Sequence, residues 1–113
     1  MMKKFSINVE ICDFGDDGIV GTTESENRII VFSSDDYELT DSFFKLVRKT
    51  ICNYEENDAD GLADTSQYLV LISFMNNQED DEINEYAALA TNDYLEAKAC
   101  LESVNEQIIR LYQ

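Results

Sequence analysis

The sequence predicts an α+β fold: a mostly antiparallel sheet with two helices packed on one face, a two-layer sandwich. Three observations predict it. Residues 4–12 alternate apolar and polar side chains, the mark of a half-buried strand. Residues 67–75, QYLVLISFM, are almost all apolar and β-prone, as in a central strand covered on both faces. Two further segments, starting at Ser42 and Tyr94, repeat apolar residues at steps of three and four. With 113 residues, 44% of them hydrophobic, six Tyr and six Phe, the chain holds one domain's core, and 1–113 reads as a single domain.

Taken in order, Phe5, Ile7, Val9 and Ile11 share one face of the first strand, and Ser6, Asn8 and Glu10 the other. DFGDDG at 13–18 is a turn signal, because glycine accepts positive φ and short acidic side chains bond nearby amides. IVGTT and RIIVFSS read as further strand, split by the polar ESEN, and SSDDYELTD reads as a loop. A helix is expected from Ser42 with Thr40 or Asp41 as N-cap. Its stripe is Phe43, Val47, Ile51 and Tyr54, widened by Phe44, and Lys45, Arg48 and Lys49 lie opposite. NNQEDDE reads as a solvated turn. From Ile83 to Leu111 apolar residues fit heptad steps, so one long coiled-coil helix is an alternative. The poor helix formers TND at 91–93 argue for a break there. The preferred reading is a strand over about 84–91, hairpinned with 67–75, and a helix from Tyr94 to about Tyr112.

Composition narrows function. The chain carries 24 Asp and Glu against 8 Lys and Arg, a net charge of −16. Such a surface repels nucleic acid and anionic membranes and attracts basic partners. The absence of histidine removes Ser-His and Cys-His nucleophile pairs and every His-containing metal site. Cys12, Cys52 and Cys100 are widely spaced and odd in number, unlike a disulfide framework. They read as apolar residues in a reducing compartment. The four glycines match no phosphate-cradling loop. MMKKF is followed by alternation rather than an apolar run, so no signal peptide or membrane span is expected, and the location expected is cytoplasmic.

EENDADGLADTSQ contains one partial match to a calcium loop. With Gly61 at loop position six, Glu56, Asp58, Asp60 and Asp64 take ligand positions. The closing position falls on Gln67, whose neutral amide cannot supply a bidentate carboxylate, and a strand pattern follows instead of a second helix. A solvated acidic loop is the preferred reading, and neither metal nor cofactor is expected.

A folded, acidic chain without catalytic groups is most simply a protein-binding protein, not an enzyme. Its size, acidity, α+β pattern and lack of catalytic groups resemble bacterial immunity proteins, which neutralise nuclease toxins of bacteriocin and contact-dependent inhibition systems. DFGDDG is similar to an acidic turn in immunity proteins of ribonuclease colicins. The resemblance implies a cognate basic toxin domain, expected to be a nuclease, held tightly in the cytosol without a cofactor. It carries over to Asp13, Asp16 and Asp17 alone. The alternatives are a phage-type DNA mimic, a calcium module using 56–67, and a dimer built on the C-terminal heptads. A monomer or weak homodimer is expected. The contact surface is assigned to Asp35, Asp36, Tyr37 and Glu38 with Asp13, Asp16 and Asp17. Glu55, Glu56, Asp58, Asp60 and Asp64 are next in line.

Overall fold

The computed structural model describes residues 3–13, 28–51 and 66–112. In chain order these form β1 (Phe5–Asp13), β2 (Arg28–Ser34), α1 (Tyr37–Ile51), β3 (Tyr68–Asn76), β4 (Asp81–Thr91) and α2 (Tyr94–Tyr112). The strands make one four-stranded sheet in the order β2-β1-β3-β4, antiparallel at every step. This is an α+β fold, as the alternation and the two helical stripes predict.

The two central strands, β1 and β3, pair without interruption from Phe5↔Asn76 to Asp13↔Tyr68. Both edge strands are irregular. The register of β2 against β1 shifts between Ile7 and Asn8, and that of β4 against β3 shifts twice. Bulges in edge strands increase local twist and make the edge a poorer template for another chain.

One face of the sheet meets both helices. Ile7, Val9 and Ile11 of β1, Val70, Ile72 and Phe74 of β3, and Tyr86 and Ala88 of β4 join Phe44, Val47 and Ile51 of α1 in a single core. From α2 the same core takes Ala97, Leu101, Val104 and Ile108. Phe44 sits at its centre, with ring centroids 5.7 Å from Phe74 and 5.2 Å from Tyr86. Small side chains at Ala88 and Ala97 let helix and sheet approach closely.

The structure corrects several boundaries. Helix α1 begins at Tyr37 rather than Ser42, and its N-cap is Asp36 rather than Thr40 or Asp41. The Leu39 amide donates to Asp36 Oδ1 at 3.2 Å, and the Thr40 hydroxyl donates to the Asp36 carbonyl at 2.9 Å. Thr40 is fully buried, so a residue that reads as a cap lies inside the first turn. Within the stripe Phe44 is buried and Phe43 half-buried, and Tyr54 lies outside the described residues. Strand β4 starts at Asp81, three residues earlier than expected, after a turn over 77–80. That turn ends on Asp80 at φ 50°, a left-handed conformation that an aspartate tolerates better than most side chains. The single-helix alternative for the C-terminal third is excluded by β4. The Leu95 amide donates to Asp93 Oδ1 at 3.0 Å, so Asp93 caps α2 as expected. The expected strand IVGTT lies outside the described residues.

Candidate partner-binding surface

The predicted contact residues fall into separate places. Asp35, Asp36, Tyr37 and Glu38 form a corner where β2 passes into α1. Tyr37 is 46% exposed, yet its ring stands 5.5 Å from Phe5 and 5.4 Å from Phe74. The tyrosine is thus fixed from below by the core while its outer part faces solvent, and Leu39, in the same helical turn, is 54% exposed. Around it, Glu38 is exposed in the first helical turn and Asp36 is occupied in capping.

Asp35 is engaged within the chain. It accepts the Lys4 backbone N–H at 3.0 Å and faces the Lys3 ammonium at 3.6 Å. The Lys4 N–H first, then the Lys3 charge, hold its carboxyl below the usual carboxylate range. Lys45, one turn beyond Asp41 in α1, pairs with it at 3.0 Å, and that contact raises the lysine's pKa. The basic face of α1 is therefore partly neutralised from within, and Arg48 lies over the Tyr86 ring at 5.8 Å.

Asp13 does not belong to this corner. It ends β1, whereas Asp35 follows Ser34, the partner of Phe5 at the strand's beginning. Eight steps of about 3.4 Å put the two ends of β1 about 27 Å apart. Asp13 instead accepts from Gln67 Nε2 at 3.4 Å. The Gln67 amide N–H donates to Asn92 at 2.8 Å, so the residue at the closing position of the calcium-loop match links β1, β3 and the turn before α2. Asp16, Asp17, Glu55, Glu56, Asp58, Asp60 and Asp64 lie outside the described residues. Among the described residues, no three Cys, Asp or Glu side chains are placed to hold a metal ion together.

A second group of carboxylates escaped the sequence reading. The face of the sheet turned away from the helices carries rows of cross-strand partners. Asn8, Ser73 and Glu85 make one row across β1, β3 and β4, and Ser6, Met75 and Glu82 make the next. Arg28, Glu10, Leu71 and Ala87 form a third, with the Arg28 Nε 3.9 Å from the Glu10 carboxylate. Beyond it Cys12, Leu69 and Leu71 pack with Ala87 in a small apolar cluster.

Electrostatics tie these rows together. The Glu82 carboxyl is pushed up to about 7, first by desolvation, then by Glu85, with which it shares a hydrogen bond, and then by Glu10 and Asp81. Burial, followed by Glu10, Glu85 and Glu82, pushes the Cys12 thiol up to about 12. Period-two alternation puts Glu10 on this face. Nothing in the sequence alone shows that Glu82 and Glu85 join it, because the bulges in β4 displace the alternation.

Cys12 and Cys100 are free thiols. A shallow groove of about 380 Å³ runs along residues 30–33 of β2 beside Tyr112. No helix among the described residues is long and apolar enough to cross a membrane. Comparison with protein-family models, with curated proteins and with solved structures finds no match for this chain.

Proposed function

We propose that this protein is an immunity-type inhibitor. It binds a cognate basic toxin domain, a nuclease by our reading, in the cytoplasm and blocks the surface that would grip nucleic acid. It acts by binding rather than by turnover. A net charge of −16 draws in a cationic protein from a distance and raises its capture rate. Capture alone does not give a slow release.

The observation that carries the reading is the corner at the start of α1. A tyrosine held against Phe5 and Phe74 presents a half-exposed ring, and Glu38 and Leu39, exposed in the same first turn of α1, surround the helix start. Rigid aromatic anchors within a charged rim are the groups that dominate protein interfaces, because they bury large area with little loss of side-chain freedom. Asp35 and Asp36 serve this corner indirectly, one tying down the chain start and the other capping the helix.

The test is affinity capture at low salt from cells that naturally carry the protein, followed by assay of what is captured. The expected result is a basic protein with nuclease activity that an equimolar amount of this chain abolishes, and that Tyr37→Ala releases faster. A captured enzyme that stays fully active in the complex would remove the inhibitor reading. So would turnover of a small substrate by this chain unaided.

A further inference from the structure

The face of the sheet away from the helices holds a polar row that the fold itself does not explain. Asn8 and Ser73, directly opposite each other on the two central strands, are each only 1% exposed. Among the described residues, neither Asn8 Oδ1 nor Ser73 Oγ has a hydrogen-bond partner. Buried acceptors without donors are rare in folded proteins, because each forfeits its hydration without recompense. Here two of them adjoin carboxylates: Glu85 continues the same row, Glu10 lies two residues along from Asn8, and Glu82 bonds to Glu85. Exposure rises along this path from Ser73 through half-buried Glu85 to exposed Glu82, so the group reaches solvent at the β4 edge.

We propose that this row is a seat for one arginine side chain of the bound partner, with Asn8 Oδ1 and Ser73 Oγ as floor acceptors and Glu85 and Glu82 as the anionic rim. This assignment deepens the inhibitor reading and rests on it for the partner's identity. Acceptors outnumber donors in the group, whose donors are the Asn8 amide and the Ser73 hydroxyl and whose rim is anionic, so its complement is a cation with several N–H groups. A guanidinium offers five in a planar fork and is weakly hydrated, which suits a site part buried and part open. A metal ion fits less well, since no three acidic or thiol groups among the described residues converge on one point. The carboxylates stand close against their mutual repulsion, and an incoming cation relieves it. Among the described residues, the charged groups facing Glu82 are Glu85 and Asp81 on β4 and Glu10 on β1, with the Arg28 guanidinium against Glu10.

The experiment is carbon-detected NMR of the side-chain carboxyls, with the Asn8 side-chain amide followed in parallel. The probes are N-acetylarginine methylamide, the matching lysine compound and calcium chloride. The seat predicts saturable shifts at Glu82, Glu85 and Asn8 with the arginine compound. It also predicts a Glu82 midpoint that falls from near 7 towards the ordinary 4.5 as the cation favours its charged form. Ser73→Ala, which removes a floor acceptor without leaving an orphan, should weaken binding of the arginine compound at least about threefold with the melting temperature held. Stronger response to lysine, stronger response to calcium, or silence at all three residues would each overturn the seat. Failure here leaves the inhibitor reading standing on the Tyr37 corner. A responding seat in a chain that captures no toxin would instead remove that reading and keep the seat.

Discussion

Ser73 and Phe74 are neighbours on β3, and they inhabit different worlds. Phe74 faces both helices and touches the rings of Phe5, Tyr37 and Phe44. Ser73 faces the other way, beside Asn8 and Glu85, equally buried but without a hydrogen-bond partner among the described residues. One face of the sheet holds an apolar core that two amphipathic helices complete. The other mixes a small apolar cluster with carboxylates that repel one another. The contrast teaches that the apolar burial that holds the fold and the charged cluster lie on opposite faces of the same strands, so the two can be disturbed separately.

The sharpest way to break this division is at the centre of the helix-covered face. Phe44→Ala should lose about 3–5 kcal/mol in urea denaturation, the usual range for emptying an aromatic site in a core. A loss below about 1 kcal/mol would mean that the helices do not carry the fold. The next effect lies at the corner. Asp36→Ala removes the N-cap of α1 and should cost about 1 kcal/mol by the same measurement. Capping also bears on the choice of binding variants. Charge reversal at Asp36 would mix helix loss with lost attraction, so Glu38→Gln, in an exposed first turn, is the cleaner probe of steering.

The polar face should respond to pH instead. Glu82 gives up its proton near the ordinary 4.5 when unfolded and near 7 in the fold. The folded state therefore holds the proton more tightly between these values. The stability it contributes is complete below about 4.5 and lost as pH rises through about 7. Glu82→Gln should be more stable than the parent at pH 8 and converge with it at pH 4. Equal pH slopes for the two proteins would dissolve the cluster. The smallest effect expected is at Cys12, whose thiol, pushed up to about 12, stays protonated and buried. Peptide mapping after iodoacetamide should find it unmodified in the native protein and modified in urea.

Much of the architecture was legible because period-two and period-3.6 patterns are written by burial on one face. Ile7, Val9 and Ile11 alternate into the core, RIIVFSS matches β2, and Asp93 marks the start of α2. What escaped was local. YELT looks like loop until Thr40 is seen turned inward and bonded to the Asp36 carbonyl, leaving Asp36 to cap. EDDE looks like solvated turn because charged residues in an edge strand carry no hydrophobic signature. Of the site, the corner around Tyr37 could be read from a run of acids about an aromatic residue. Its separation from Asp13 could not, because β1 places them at opposite ends. Grouping Glu10 with Glu82 and Glu85 depends on pairing across three strands with two bulges, information that no local pattern holds.

The claim that the surplus negative surface exists to seize a cationic protein is tested most directly by the association rate of the captured partner as a function of salt. Long-range attraction predicts a fall of at least about tenfold between low and roughly 0.5 M salt, with dissociation changing far less. An association rate that stays flat across that range would contradict it.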